Sequence, residues 1–223
     1  DQSVRIWDAD SSRSIRVLRG HTKPVHSVVY SPNGERIASA GSGKQIWIWD
    51  AASGASRVQL TGHQRAVNAL AFGKDNNQLI SGSSDNTVRV WEIETGLYRL
   101  FEGHTDDVLD VARSEDGKLI ASASKDGTAR VWDITTGAVI CALEGHNGEV
   151  VSVEFRAEGT HLVTASSDGT VRVWDILLGA QLLMIEGKLP FKAMALNQNR
   201  LAATGTEYEA GQELGQVWLW DPR

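Results

Sequence analysis

The sequence predicts an all-β fold assembled from a repeated unit, and two observations lead to that prediction. The 223-residue chain contains one ten-residue pattern several times, as SSDNTVRVWE at 83–92, SKDGTARVWD at 124–133 and SSDGTVRVWD at 166–175. Segments rich in Val, Ile and Thr alternate with turn residues about every ten residues, and no segment has the pattern of a helix of about ten residues or more. A pattern that returns at a fixed period indicates tandem structural units.

Two dipeptides set the length of the unit. Trp followed by Asp or Glu occurs at 7–8, 49–50, 91–92, 132–133, 174–175 and 220–221, so successive pairs lie 42, 42, 41, 42 and 46 residues apart. Gly-His occurs at 20–21, 62–63, 103–104 and 145–146. Within one unit, VICAL, VVSVEF, HLVTAS and VRVWD have the composition of four short strands. The SDGT between the last two carries the Asp-Gly signal of a tight hairpin.

The Gly-His and Trp-Asp marks, their spacing and the Asp-Gly-Thr turn together resemble the WD-repeat family, and the resemblance covers essentially the whole chain. It implies a β-propeller, in which each blade is a four-stranded antiparallel sheet with strands a to d running from the axis outward. It also implies a sequence repeat that is out of phase with the blade and runs d-a-b-c.

The resemblance divides residues 1–223, as one propeller domain, into about four complete blades and two partial terminal blades. The complete blades are expected at 21–60, 63–101, 104–143 and 146–186, and the partial blades at 1–19 and 188–223. The first partial blade lacks strands a and b and the last lacks strand d, so we expect a piece of a larger propeller. Open blade edges of this kind favour self-association.

In the family, a His after Gly, a Ser or Thr on strand b, an Asp in the b–c turn and the Trp on strand c form one hydrogen-bonded tetrad. Three blades carry all four residues: His63, Ser81, Asp85 and Trp91; His104, Ser122, Asp126 and Trp132; and His146, Thr164, Asp168 and Trp174. A buried Trp needs a hydrogen-bond acceptor for its indole N–H. The tetrad provides one through a chain of hydrogen bonds that ends at a carboxylate. A catalytic triad occurs once per site, whereas this set recurs, so the tetrads are predicted to be structural and no catalytic residue is predicted.

The blade at 21–60 and the last blade depart from the pattern. In the first, Gly43 stands where the tetrad Asp is expected, so His21 loses its carboxylate and the blade is expected to be looser. The nearby GSGK does not complete a phosphate-binding loop. In the last blade Lys188 replaces His, and residues 204–216 are expected to form a long loop.

Trp47 and Trp218 also distinguish these two blades. They lie two residues before the motif Trp, where the other units carry Arg5, Arg89, Arg130 and Arg172. Both are expected on the same strand face as the motif Trp. Packing between blades and an exposed aromatic for partner binding are the two alternatives.

Composition restricts the function. A net charge of -6 argues against a general nucleic-acid surface, and the sequence has no apolar run long enough to span a membrane. A single cysteine, Cys141, excludes an intrachain disulfide and a Cys cluster for zinc, and its apolar context predicts an inert thiol. Residues 1–100 hold 12 Lys and Arg against 9 Asp and Glu, whereas residues 101–223 hold 10 against 19. The acidic half favours a basic partner, with chance variation as the alternative.

The resemblance implies a protein-interaction scaffold that binds proteins or peptides on the face carrying the d–a and b–c turns, with no enzyme activity and no cofactor or metal. A sensor domain of a larger signalling NTPase and an enzyme with a site in the axial channel are the alternatives. The expected location is the cytoplasm or the nucleus. The candidate partner-binding residues are Lys23, Arg65, Ser84, Asp106, Asp107, Lys125, Glu149, Ser167, Glu207, Tyr208 and Glu209.

Overall fold

The computed structural model is all-β, as the sequence predicts. It describes residues 2–156, 159–187, 189–197, 200–209 and 212–220, and in that part of the chain it contains 21 strands and no helix. No helix that could cross a membrane is therefore found among these residues. The predicted fold class, four four-stranded antiparallel sheets between two smaller terminal sheets, is confirmed.

The strands form six separate sheets in chain order. The first sheet pairs β1 (Ser3–Trp7) with β2 (Ser14–Arg19). Four sheets of four strands follow: β3 (Val25–Tyr30), β4 (Arg36–Gly41), β5 (Ile46–Asp50) and β6 (Ser56–Leu60); β7 (Val67–Phe72), β8 (Gln78–Ser83), β9 (Val88–Glu92) and β10 (Tyr98–Phe101); β11 (Val108–Arg113), β12 (Leu119–Ser124), β13 (Ala129–Asp133) and β14 (Val139–Leu143); β15 (Val150–Phe155), β16 (His161–Ser166), β17 (Thr170–Asp175) and β18 (Ala180–Glu186). The last sheet consists of β19 (Phe191–Asn197), β20 (Arg200–Glu209) and β21 (Gln212–Trp220). Within each four-stranded sheet the order follows the chain, so the strands are called a to d below.

The b–c turns show why an Asp followed by Gly or Asn separates two strands. Gly127 and Asn86 occupy the same turn position with φ of 82° and 68°, a region that Gly and Asn tolerate better than other residues. One residue earlier, the Oδ1 atom of Asp126 accepts the N–H of Thr128 at 2.9 Å and its hydroxyl at 2.7 Å. This local bonding holds the Asp at the tip of the turn, with its other carboxylate oxygen available for a further contact.

Buried apolar side chains fill the spaces between neighbouring sheets, and each buried motif Trp lies in one of these spaces. Trp91 clusters with Ile48 and Leu60 of the preceding sheet. Trp132 clusters with Val90 and Phe101 in the next space. The core is thus a series of layers between sheets, which is why strands with both faces buried are rich in Val, Ile and Ala.

The outer strands pair with a shift in register. In the pairs β1–β2, β5–β6, β13–β14 and β17–β18 the regular ladder is interrupted immediately before the motif Trp. The shift leaves one residue of each outer strand without a Cα partner, as for Ile140 between Val139 and Cys141. The pair β9–β10, whose outer strand has only four residues, is regular.

The terminal sheets remain separate from each other in the described part of the chain. Sheet β1–β2 and sheet β19–β21 share no strand pairing, so the six sheets do not close through the described residues. Trp7 of the first sheet is 55% exposed, whereas the equivalent Trp132 is 1% exposed. Trp132 packs with Val90 and Phe101 of the preceding sheet, whereas no sheet precedes that of Trp7 in the described part of the chain. Self-association through these edges stays a prediction.

The segment 204–216 is not the long loop that the sequence suggested. Strands β20 and β21 extend to 10 and 9 residues, and their ladder continues through Gly205↔Gln216, Glu207↔Leu214, Tyr208↔Glu213 and Glu209↔Gln212. The expectation was wrong because β20 and β21 remain paired beyond the position at which the other sheets form their b–c turn. The backbone instead continues to pair as a hairpin, which keeps its amide groups satisfied. Lys188 lies outside the described residues.

Candidate functional site

The turn face is the surface formed by the d–a turns at 20–24, 61–66, 102–107 and 144–149 and the b–c turns at 42–45, 84–87, 125–128 and 167–169. A backbone hydrogen bond joins the two kinds of turn in each complete blade. Ser84 N–H donates to Ala66 O, and Lys125 N–H donates to Asp107 O, each at 2.9 Å. These bonds bring the predicted partner-binding residues of adjacent turns onto one surface.

A tetrad supports the turns beneath this surface. In the sheet at 63–101, Trp91 Nε1–H donates to Ser81 Oγ at 2.8 Å, and Ser81 Oγ lies 2.7 Å from His63 Nε2. His63 Nδ1 lies 2.8 Å from Asp85 Oδ2. The same three contacts join His104, Ser122, Asp126 and Trp132, and also His146, Thr164, Asp168 and Trp174. The structure therefore brings together all four residues of each predicted set.

The direction of the hydrogen bonds follows from protonation. Burial lowers the pKa of His63, His104 and His146, so each imidazole is neutral near pH 7. The carboxylate needs a donor, which places the imidazole proton on Nδ1, and Nε2 then accepts the hydroxyl proton. Because the hydroxyl oxygen also accepts the indole N–H, both of its roles are occupied. The hydroxyls of Ser81, Ser122 and Thr164 are buried, so none of them is available as a nucleophile at the surface.

The pKa values of the tetrad carboxylates lie well below the ordinary range of Asp. Burial alone would raise the pKa of Asp126, but hydrogen bonds from Thr128, from His104 and from the N–H of Thr105 lower it to about 2. The equivalent contacts hold the pKa of Asp85 and Asp168 well below the usual value of Asp. Each carboxylate therefore binds the d–a turn of its own blade as an anion.

Acid is expected to destabilise the chain through these three carboxylates. Their folded pKa values lie below the unfolded value of about 3.9, so their contribution to the free energy of unfolding is complete above pH 4 and is lost as the pH falls toward 2. Thermal unfolding between pH 6 and pH 2 measures this loss, and Asp126→Asn should make the dependence shallower. An unchanged slope in that variant would show that the tetrad carboxylate is not coupled to folding.

The blade at 21–60 keeps only three members of the tetrad. Trp49 Nε1–H donates to Ser39 Oγ at 2.8 Å, and Ser39 Oγ lies 2.7 Å from His21 Nε2. Gly43 supplies no carboxylate, and His21 is less buried than its counterparts, with a pKa lowered by burial alone. That this blade is looser than the others stays a prediction.

The arginine two residues before the motif Trp belongs to the same network, a role that was not predicted from the sequence. The guanidinium of Arg89 lies 4.3 Å from the ring centroid of Tyr98 and 5.7 Å from that of Trp91. Its Nη2 atom is 3.9 Å from Asp85 Oδ2, and Arg89 is 6% exposed. The recurrence of Arg at this position in four units was the feature of the sequence that could have indicated this role.

Trp47 takes the place of that arginine in the 21–60 blade. Its ring stacks on Trp49 with centroids 5.1 Å apart and an interplanar angle of 13°. Trp218 packs edge-on against Phe191 at 5.4 Å. Trp47 also packs against the cluster that contains Val4 and Leu18 of the preceding sheet, and Trp218 packs against the cluster that contains Val163 and Val171 of the preceding sheet. These contacts favour the alternative of packing between blades. Cys141 is half-buried, and burial raises the pKa of its thiol.

The predicted partner-binding residues outside the last sheet lie on the turn face. Lys23, Arg65, Asp106 and Lys125 are exposed, and Ser84, Asp107, Glu149 and Ser167 are half-buried. Arg65 Nη1 lies 3.7 Å from Asp107 Oδ1, and Lys125 Nζ lies 3.8 Å from Glu149 Oε1. These ion pairs cross from one blade to the next, so the basic and acidic groups partly neutralise each other. Glu207, Tyr208 and Glu209 lie instead in the β20–β21 hairpin.

Comparison with known families adds an independent observation. A family model described as WD domain, G-beta repeat (WD40) matches residues 12–50, 54–92, 96–133 and 137–175, which is more than half of the chain. Each matched segment contains an outer strand d followed by strands a, b and c of the next sheet. The match is thus out of phase with the sheets, as the resemblance implies.

Short segments of the chain are similar to curated proteins. A segment of 38 residues is 45% identical to the WD40 repeat-containing protein HOS15 of Arabidopsis thaliana, covering 17% of this chain and 6% of that protein. Another of 48 residues is 35% identical to WD repeat and SOCS box-containing protein 1 of Xenopus tropicalis, covering 21% and 11%. A third of 49 residues is 41% identical to the nuclear distribution protein PAC1 of Arthroderma benhamiae, covering 21% and 11%. The matched segments therefore span about a tenth or less of these relatives' length.

Proposed function

Because the chain belongs to the WD40-repeat family, we propose that it is a protein-interaction scaffold whose partner binds the turn face. WD40 repeats generally mediate protein–protein interactions. The observation that carries the proposal is the structure of that face. Exposed side chains on short turns stand above buried tetrads that hold the turns in place.

The support under the turns favours binding without large rearrangement. In each complete tetrad the Asp carboxylate also accepts the backbone N–H of the residue after His, at 2.9 Å for Gln64 and 3.0 Å for Thr105 and Asn147. The turn residues that would meet a partner are therefore positioned before it arrives. Such preorganisation reduces the entropy lost on binding.

The charge distribution favours a basic partner on the blades at 104–143 and 146–186. Asp106 is exposed at the start of this region, and residues 101–223 hold 19 acidic against 10 basic side chains. Lys125 and Glu149 form a partly exposed pair at the same surface. An excess of acidic groups on one part of a surface accelerates the approach of a basic partner and aligns it.

The test is a charge reversal on the turn face with a matched control. Asp106→Arg should weaken the retention of a copurified partner by the full chain about fivefold to tenfold at low salt, and less at high salt. Glu115→Arg changes an equally exposed carboxylate in the a–b turn, at the opposite end of the same sheet, and should have no effect. Equal effects of the two variants, or no effect of Asp106→Arg, would contradict the assignment of the turn face.

A further inference from the structure

One position on the turn face lacks an anion that its counterparts contain. In the three complete tetrads, one Asp Oδ2 atom meets two donors: His Nδ1 at 2.8, 2.8 and 2.9 Å, and the backbone N–H of the next residue at 2.9, 3.0 and 3.0 Å. The 21–60 blade has both donors, His21 Nδ1 and Thr22 N–H, but Gly43 in place of the Asp. Among the described residues, neither donor has a hydrogen-bond acceptor.

The donors are held in the orientation found in the other blades. His21 Nε2 lies 2.7 Å from Ser39 Oγ, which in turn accepts the indole N–H of Trp49. The ring of His21 also lies 5.5 Å from that of Trp47. These contacts hold the imidazole through its Nε2 side. Its Nδ1 atom therefore points toward the position that the Asp carboxylate occupies in the other blades.

The position of the missing side chain is open. A Cβ atom built on Gly43 would have only Gln45 Oε1 within 4 Å, at 3.9 Å. The backbone of Gly43 does not adopt a positive φ, so glycine is not required there by conformation. Room for a carboxylate is therefore present in the turn, and nothing in the local backbone excludes one.

The surroundings of the position are basic. Lys23 lies in the adjacent d–a turn and Lys44 in the same b–c turn, and both are exposed. No ion pair engages either lysine among the described residues. Residues 11–34 and 36–49, which supply the turns of this blade, contain no Asp or Glu. An anion that approaches this part of the turn face therefore meets positive charge and two directed donors.

The geometry points to a carboxylate-binding site, in which an Asp or Glu side chain of an acidic partner segment enters beside Gly43 and accepts from His21 Nδ1 and Thr22 N–H. The partner's carboxylate takes the place of the fourth tetrad residue. Lys23 and Lys44 supply the charge that directs an acidic segment here, at the opposite end of the face from the acidic blades. The inference rests on the proposed function only in its location on the turn face.

The experiment uses the full chain and two peptides, acetyl-Gly-Ser-Asp-Gly-Thr-amide and the same peptide with Asn in place of Asp. Nitrogen-15 NMR follows the imidazole of His21 and the amide of Thr22 during titration. The Asp peptide should shift both signals saturably, and the Asn peptide should bind at least about tenfold more weakly, because hydrogen bonds to a charged acceptor are stronger. Absence of saturable shifts at His21 and Thr22 would overturn the inference.

Gly43→Asp supplies the carboxylate within the chain and should occupy the site. In this variant the His21 and Thr22 signals should move toward those of His63 and Gln64 without peptide, and the peptide should cause no further shift. Gly43→Asn is the uncharged control of the same size and should retain weak binding. Peptide shifts of equal size in the wild type and in Gly43→Asp would place the peptide elsewhere and contradict the site.

Two further arms separate the possible outcomes. If inorganic phosphate shifts the same signals at lower concentration than the Asp peptide, the site recognises oxyanions in general and the assignment to a carboxylate side chain is wrong. Binding of a copurified partner that is unchanged by Gly43→Asp but weakened by Asp106→Arg would reject this site while the turn face remains the platform. Binding unaffected by both variants would reject the platform itself.

Discussion

Trp132→Ala is expected to lower the free energy of unfolding by about 3–5 kcal/mol, the largest effect of any single change considered for this chain. The side chain is 1% exposed and packs between two sheets, with the ring of Phe101 edge-on at 5.9 Å. Its removal leaves a cavity in the layer shared by Val90 and Val111. The change also removes the donor to Ser122 Oγ, so the tetrad of that blade loses its innermost member.

Trp7→Ala is the matched control for this prediction. Trp7 has the same place on strand c of its sheet, but it is 55% exposed and belongs to none of the buried clusters in the described part of the chain. Its replacement should cost less than about 1 kcal/mol, since little additional apolar surface becomes exposed. Denaturant unfolding of both variants gives the comparison. If the two substitutions cost the same, burial between sheets does not explain the role of the motif Trp.

Asp110→Ala is expected to cost about 2–4 kcal/mol at pH 5, the second largest effect. Asp110 lies on the inner strand β11, and its Oδ2 accepts the hydroxyl of Ser152 at 2.8 Å and the N–H of Val153 at 3.0 Å on the neighbouring sheet. Its Oδ1 accepts the N–H of Val111 at 2.9 Å. Truncation leaves three buried donors without this acceptor and removes a polar connection between two blades.

The cost of Asp110→Ala should shrink as the pH rises. Burial raises the pKa of Asp110 to about 6, and burial together with the nearby Asp110 raises that of Glu154 to about 7. A carboxyl with a raised folded pKa binds a proton more tightly than in the unfolded chain, so its contribution is greatest at low pH and declines between about pH 4 and pH 7. The free energy of unfolding of the wild type therefore decreases as the pH rises. In Asp110→Ala, only the pH dependence due to Glu154 remains.

Unfolding of the wild type and Asp110→Ala at pH 5 and pH 8 checks both the size and the sign. Asp106→Ala serves as the control, because Asp106 is exposed and four residues away. It should change the free energy of unfolding by less than about 0.5 kcal/mol at either pH. A difference between wild type and Asp110→Ala that grows with pH would mean that the carboxylate is stabilised in its ionised form, contrary to the raised pKa.

The repeated marks in the sequence predict much of the fold because each has a local physical role. Asp-Gly and Asp-Asn pairs determine the b–c turns through the left-handed residue and the Asp side chain that bonds two residues ahead. The motif Trp carries the largest buried surface of its strand, so its spacing reports the spacing of the sheets. The residues of the three tetrads could be named by number because the sequence resembles the WD-repeat family and matches its pattern at these positions.

Features that depend on a neighbouring sheet could not be predicted in the same way. The ion pair of Arg65 with Asp107 and the bonds of Asp110 to β15 join residues about 42 apart in sequence, and no local pattern encodes them. The long hairpin of β20 and β21 was not predicted, because its segment lacks the Asp of the other b–c turns and contains Gly205 and Gly215. A ladder tolerates glycine when both strands continue on either side, as at Gly205↔Gln216.

The register shifts before the motif Trp have a consequence for the chain in concentrated solution. A straight, unpaired outer strand is a template on which a second molecule can add, and repetition of that step produces fibrils. The unmatched residue in β2, β6, β14 and β18 increases the local twist and interrupts the row of amide groups that an incoming strand would use. The regular outer strand β10 has only four residues and carries Arg99, which also donates to Thr135 O of the next sheet. The five outer strands β2, β6, β10, β14 and β18 are thus protected against such addition, four of them by bulges and β10 by its shortness and positive charge.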